Sequence, residues 1–175
     1  KVAENPQNDK PVNVVFTPRE TRFIRIEQTG HSDRWWWSIH KIHVSEKVGV
    51  SGRASHNNVL VGADNVLQAL DGNSNTRWST RTLQRPGQWF EVDLNATRTL
   101  KGLVVDSSNS PFDYPRGYIV SLSEDQRNWV EVARNERNTG SLDISFSARP
   151  ARFIRLEQTG HANRWWGSIH RIGIE

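Results

Sequence analysis

Apolar positions recur at period two in short runs along this chain, and turn residues separate the runs. Val12-Asn13-Val14-Val15-Phe16 is apolar and β-branched, and Arg22-Phe23-Ile24-Arg25-Ile26-Glu27 alternates polar with apolar; both predict strands. Ser38-Ile39-His40-Lys41-Ile42-His43-Val44 alternates again after a one-residue shift, which predicts a bulge or twist. Val48 to Ser55 reads as an edge strand. Gln88 to Leu94, Leu100 to Val105, Tyr118 to Ser123 and Trp129 to Ala133 read as further strands. Only Ala63 to Leu70 has a pattern that can turn helically. His56-Asn57-Asn58, Asp71 to Thr76 and Ser110 to Gly117 are polar or turn-rich and predict loops. Short strands separated by turn signals, with almost no helix, predict an all-β sandwich or barrel.

A repeat underlies the pattern. Residues 22–42 recur at 152–172 with a constant offset of 130, so that Arg22 matches Arg152, Gly30 matches Gly160 and His40 matches His170. The match runs back without a gap through Phe16 and Phe146 to Val2 and Val132. Residues 1–45 are therefore a second copy of 131–175, and a fixed period of this kind sets the architecture. One unit is about 130 residues, an ordinary domain size. The expected organisation is one complete domain, 46–175, preceded at 1–45 by the C-terminal third of another. The body 46–130 has one slot for such a third, and two candidates compete for it. The spare copy keeps apolar faces and unpaired edges, which predicts strand-exchanged self-association through 1–45 or pairing with neighbouring repeats.

Composition narrows the function. The chain has 175 residues, 35% of them hydrophobic, and a mean hydropathy of −0.70, so a modest core and a wet surface are expected. No methionine is present, and the chain is expected to be a piece of a longer protein. Cysteine is absent, which removes disulfides, thiol nucleophiles and Cys-ligated zinc. No run of about 18 apolar residues occurs to span a membrane, and no signal-peptide pattern is present. The net charge of +4 is carried by 18 Arg and 5 Lys spread along the chain. A nucleic-acid patch clusters its basic residues, so nucleic acid is not expected as a partner. No loop shows the hydrophobic pair of spikes that membrane insertion wants, so no membrane partner is expected either.

Five motifs occur in order: Ala69-Leu70-Asp71-Gly72-Asn73 with Thr76-Arg77-Trp78-Ser79-Thr80; Gln88-Trp89-Phe90-Glu91-Val92-Asp93-Leu94; Ser123-Glu124-Asp125 with Asn128-Trp129; Ala151-Arg152-Phe153-Ile154-Arg155-Leu156; and Trp166-Gly167-Ser168-Ile169. In this order they resemble the discoidin, or coagulation-factor type C, domains, whose bacterial members are similar to family 32 carbohydrate-binding modules. The resemblance covers 46–175, and 1–45 as a partial copy. It implies a discoidin-like jelly-roll β-sandwich of about eight main strands with its binding site in the loops at one end. It further implies a non-catalytic accessory module of a secreted protein, a glycoside hydrolase or other glycan-active enzyme, with a glycan as partner. The alternative is a structural or adhesion spacer that binds protein or anionic surfaces.

The eight tryptophans divide by context. Trp78, Trp89 and Trp129 fall at core positions of the resembled family, and Trp166, two residues before Ser168, is also expected in the core. Trp165 is left over after the polar stretch Gly160-His161-Ala162-Asn163-Arg164; its flat indole suits the apolar face of a sugar ring, or it packs. Trp35 stands in the same place in the first copy. His161, Asn163 and Arg164 share the loop of Trp165. His56, Asn57 and Asn58 follow the first strand, and Asp113, Tyr114 and Arg116 lie in the middle loop. The resemblance implies that these three loops contribute to a sugar site, where such side chains supply donors and acceptors; a solvated loop is the plainer alternative for each. His170 sits in a strand alternation and reads as structural.

Catalysis is not expected. Glycoside hydrolysis needs two carboxylates facing across a cleft, and the acids here are scattered. The resemblance also implies a structural calcium at the Asp-Gly-Asn turn, held by Leu70, Asp71, Asn73, Thr76 and Ser79 and by a glutamate from the last strand. That glutamate position is Arg171 here, and Lys41 in the first copy. The expectation is therefore no cofactor and no calcium, with Arg171 pairing Asp71 instead.

Overall fold

The computed structural model describes residues 50–175 together with residues 3, 4, 12, 14, 21, 23–34, 38, 39 and 42. The chain divides into two compact units, 1–47 and 48–175. The second unit is a β-sandwich of eight strands: β1 (Ser51–Ala54), β2 (Trp78–Leu83), β3 (Trp89–Asp106), β4 (Tyr118–Ser123), β5 (Val130–Asn135), β6 (Leu142–Gln158), β7 (Trp166–Ile169) and β8 (Arg171–Ile174). The larger antiparallel sheet runs β1-β3-β6-β4-β5, with β8 also on β3, and β2 pairs with β7 in the smaller one.

The apolar runs 88–94 and 100–105, which predict two strands, are one bent strand. Register against β6 shifts between Asp93 and Arg98 and again between Leu100 and Gly102, and Asn95 takes φ 60°. Asparagine tolerates that left-handed backbone, and bulging lets a strand turn without ending. The expected helical stretch 63–70 shrinks to a single 3-10 turn, Val66–Ala69. Asn65 caps it by accepting from the Leu67 N–H, and the Gln68 side chain accepts from the Asn65 N–H.

Alternation along the strands fills the core. Phe90, Val92 and Leu94 of β3 point inward with Val120 and Leu122 of β4 and Ile154 and Leu156 of β6. Each contributes roughly 2 kcal/mol by leaving water. Trp78 joins them, its ring edge-on to Phe90 at 4.8 Å. Trp89 and Trp129 do not. Adjacent strand residues face opposite ways, so with Phe90 inside, Trp89 lies outside. Both indoles are half-buried on the outer face of the larger sheet, where the Arg155 guanidinium lies 5.2 Å from the Trp89 ring and 4.2 Å from the Trp129 ring. Arg53 covers Trp89 at 5.6 Å.

Beneath that arginine–tryptophan ladder lies Glu91, only 1% exposed. It accepts from Arg53 Nε at 2.7 Å, Gln126 Nε2 at 2.6 Å and Arg155 Nη2 at 2.9 Å. Burial pushes its pKa up, but the hydrogen bonds from these three residues outweigh that and hold the carboxyl below the usual range.

The first unit presents the repeated sequence differently. Over the described residues 23–34 the backbone forms no strand, against the expectation for 22–27. Phe23 is 80% exposed and Ile24 and Ile26 are exposed, whereas their counterparts Phe153, Ile154 and Leu156 are buried in the second unit. Alternation alone does not make a strand. Residues 153–158 become one because β3 and β4 bond them from both sides. Val12, Val14, Ser38, Ile39 and Ile42 are also outside any strand. The rest of those two expected strands, and Trp35, lie outside the described residues.

Glu91→Gln is expected to destabilise the protein by about 3 kcal/mol, because two guanidinia lose their carboxylate, and to lower the Tm by roughly 10 °C. A carboxylate whose pKa is lower folded than unfolded stabilises above the unfolded value and loses that contribution as pH falls through the folded one. The variant should therefore converge on wild type in acid, as read by thermal melts from neutral pH downward.

Candidate functional site

Three connections meet at one end of the sandwich: 84–88 between β2 and β3, 107–117 between β3 and β4, and 159–165 between β6 and β7. Gln84, fully buried, joins them. Its Nε2 donates to the carbonyls of Tyr114 (3.1 Å) and Trp166 (2.7 Å). Its Oε1 accepts from the Arg116 N–H (3.3 Å) and from Gln158 Nε2 (2.7 Å). Its main chain adds a donation to the Trp165 carbonyl and accepts from the Ala162 N–H, both at 3.1 Å. The second and third connections touch main chain to main chain. A Cβ on Gly160 would stand 2.7 Å from the backbone of Arg116 and Gly117, so glycine is required there.

Asp113 and His170 hold the middle connection from below. The Asp113 carboxylate accepts from Ser168 Oγ at 2.7 Å and from Arg77 Nη1 at 3.4 Å, and its carbonyl accepts from the Ser168 N–H. His170 is buried between the Ser110 hydroxyl and the Ser74 carbonyl, each at 2.9 Å, in the structural role expected of it.

What faces outward is aromatic and cationic. Trp165 stacks on Phe112 with ring centroids 4.6 Å apart and planes at 21°. Both rings are exposed, Trp165 by 38% and Phe112 by 52%, and Trp166 beside them by 40%. Arg116 lies over the Tyr114 ring at 4.0 Å and donates to the Phe112 carbonyl at 2.7 Å. Arg85 donates from Nη1 to the carbonyls of Gln84 and Ala162. His161 Nε2 and Asn163 Oδ1 are 3.1 Å apart. Arg164 is exposed and forms no hydrogen bond or ion pair among the described residues. Under the loops is a cavity of about 40 Å³, walled by Trp78, Gln84, Gln88, Asp113, Gln158 and Gly167 among others. It has room for a water or two and none for a sugar ring.

Of the residues singled out from the sequence, Trp165, His161, Asn163, Arg164, Tyr114 and Arg116 are gathered here. Asp113 is turned into the fold as an anchor. His56 and Asn58 make only local bonds, His56 Nδ1 to the Ser55 hydroxyl and Asn58 Oδ1 from the Ala54 N–H. No hydrogen bond, ion pair or ring contact ties them to the aromatic surface among the described residues. Trp166, expected in the core, is 40% exposed at the first position of β7, ahead of the buried Ser168 and Ile169. The sequence pattern does not single out Phe112, Gln84 or Arg85 as site residues. Phe112 had a legible signal, an aromatic in a polar loop, the same one that marked Trp165. The loop after β1 also departs from expectation, since Val59, Leu60 and Val61 are all exposed, Val61 by 85%.

The Asp71 turn closes on itself. Asp71 accepts from the Asn73 N–H at 2.8 Å and from the Thr76 hydroxyl at 2.7 Å. Arg171 does not pair with Asp71. It lies on β8 opposite Asp106, whose carboxyl burial pushes up but hydrogen bonds from Ser108 and the charges of Arg171 and His170 hold low. Calcium takes six to eight oxygens, usually with several carboxylates. Among Leu70, Asp71, Asn73, Thr76 and Ser79, Asp71 is the one carboxylate, and Arg171 stands at the glutamate position.

A family model for the F5/8 type C domain matches residues 51–172. A galactose oxidase of Gibberella zeae is 26% identical over 153 residues, which are 78% of this chain and 22% of that protein, so the chain spans about a fifth of the relative's length. Chitosan-binding module 1 of a chitosanase/glucanase from Paenibacillus sp. IK-5 shares the fold with a TM-score of 0.65 at 23% identity, over 76% of this chain and 99% of the module. The family 32 carbohydrate-binding module of AlyQ, solved with 4,5-unsaturated mannuronic acid, is 26% identical with a TM-score of 0.59, over 76% of this chain and 98% of that one.

Gln84→Leu keeps the size of the side chain but orphans two carbonyls, one main-chain N–H and the Gln158 amide. A loss of about 3 kcal/mol in denaturant unfolding is expected. Near-UV circular dichroism should show the Phe112–Trp165 stack loosened even where the variant is folded.

Proposed function

From the premise that this chain belongs to the F5/8 type C domain family, and that its structural neighbours are family 32 carbohydrate-binding modules, we propose that unit 48–175 is a non-catalytic module binding a glycan on its loop-end surface. The observation that carries this reading is the exposed Phe112–Trp165 stack beside Trp166, on loops pinned by a buried amide. Exposing this much aromatic surface is costly unless a ligand covers it. An aromatic ring is flat, apolar and rigid, and a sugar ring presents an apolar face of C–H groups to it. Around the stack, His161, Asn163, Arg164 and Arg116 supply hydrogen bonds to hydroxyls at the rim. The acids of the unit that lie near the loops serve structure. Asp113 and Asp64 are paired with Arg77, which leaves no facing pair for hydrolysis. Such a module acts by tethering. Its shallow site binds weakly, and neighbouring repeats in a secreted, glycan-active parent protein raise the avidity.

One observation favours a second reading, a module that docks on a protein or an anionic surface: the exposed run Val59-Leu60-Val61 after β1. The two readings part on which loop binding needs. Trp165→Ala should abolish binding on a glycan array while leaving the melting curve intact, because Trp165 holds its place through its carbonyl. Replacing Val59, Leu60 and Val61 by serine should leave glycan binding unchanged. The opposite pattern favours the docking module.

We also propose that the 71–76 turn works without calcium, its oxygens satisfied by Asn73 and Thr76. Adding calcium, or a chelator, should leave the Tm unmoved. A calcium-dependent rise that disappears in Asp71→Ala would count against this.

A further inference from the structure

The charge of the site differs from what a neutral-sugar platform needs. The three connections around the aromatic stack, 84–88, 107–117 and 159–165, contain Arg85, Arg116 and Arg164 and one carboxylate, Asp113, and Arg81 lies just before the first on β2. Asp113 is committed to Ser168 and Arg77. Arg81 is committed to Asp64 and the Ala63 carbonyl. Three guanidinia remain at the rim. A guanidinium has five N–H donors. Arg116 uses one, on Phe112; Arg85 uses two, on Gln84 and Ala162; Arg164 uses none among the described residues. The nearest further acids along the chain are Asp106, which accepts from the Ser108 N–H, Glu91, which is buried under Arg53 and Arg155, and Glu157, which pairs across from Trp89 on the larger sheet. Within these three connections, stacked aromatic rings therefore stand beside arginine donors with no free carboxylate among the described residues.

Resting on the glycan reading above, we propose that the ligand is an anionic glycan, one whose rings carry carboxylate or sulfate groups. The sugar ring lies on Trp165 and Phe112, and its acid group meets Arg164, with Arg116 and Arg85 flanking. The guanidinium fork matches the two oxygens of a carboxylate and an edge of a sulfate alike. The same surface rejects a glucosamine polymer. An ammonium group would face three cations and find no carboxylate, despite the shared fold with a chitosan-binding module.

The test is calorimetry on the full chain with four probes: tetrasaccharides of mannuronate, sulfated galactose, galactose and glucosamine, each at low and high salt. One or both anionic probes should bind roughly tenfold tighter than galactose, and glucosamine should not bind. Arg164→Gln, which disturbs no bond in the fold, should cost the anionic probe roughly tenfold, and high salt should do the same. Galactose binding should be insensitive to salt. If galactose or glucosamine binds as well as the anionic probes, anion selection fails and the glycan reading stands. If Trp165→Ala binds the anionic probe as tightly as wild type, the attraction is diffuse charge and the proposal is overturned. If no probe binds, the glycan reading itself falls and this inference with it.

Discussion

Gln84 carries its amide to a place that water does not reach, and its hydrogen-bonding positions are taken by three parts of the chain, twice by the 107–117 connection and once each by Gln158 and Trp166. Two donors and two acceptor lone pairs are all a primary amide has, so the group is saturated. Leaving any one of them unmade in that setting costs about 1–3 kcal/mol. The cost makes the arrangement cooperative, since no loop can leave without stranding a polar atom from another. The position of the exposed rings follows from it. Trp165 belongs to one connection and Phe112 to another, and they stack because both connections are tied to the same amide.

Strand alternation made the core of the second unit legible. It put Phe90, Val92 and Leu94 on one face of β3, and it contained the correction for Trp89, which cannot point inward next to Phe90. Reading Trp89, Trp129 and Trp166 as core treated tryptophan as a residue that must hide. A guanidinium lid on the outer sheet face shelters the first two, and the third stands at the exposed start of β7. Gln84 was not legible at all. A glutamine in a polar connection looks like any solvated residue, and its burial follows from three segments separated by up to 82 positions closing over it. The gathering of Trp165 with Tyr114 and Arg116 was anticipated from resemblance, but His56 and Asn58 show that membership of a loop does not fix where a side chain spends its bonds.

The repeated stretch shows how little a sequence decides without its surroundings. Arg152, Arg155 and Gln158 are bonded to Asp93, Glu91 and Gln84 in the second unit. Their counterparts Arg22, Arg25 and Gln28 are the same residues, and the described part of that copy forms no strand. The copies also differ where they would meet β2: Gly167 corresponds to Trp37, and a Cβ at Gly167 would stand 3.1 Å from Thr80 Cγ2, a tight contact. A strand sequence supplies half of a ladder, and partner strands supply the other half.

Of the loop groups that Gln84 grips, those of Tyr114, Trp166, Arg116, Trp165 and Ala162 are all main-chain atoms. A clamp that holds carbonyls and N–H groups does not read side chains. Residues 112, 114, 164, 165 and 166 can therefore change in kind, from aromatic to acidic or from arginine to serine, without touching the bonds by which Gln84 shapes the loops. Gly160 and Gly117 are the exceptions, because there the backbones themselves collide with any added carbon. The fold thus separates the inheritance of a scaffold from the inheritance of a specificity. Drift or design can rewrite what this surface recognises one residue at a time, each step passing through a folded protein.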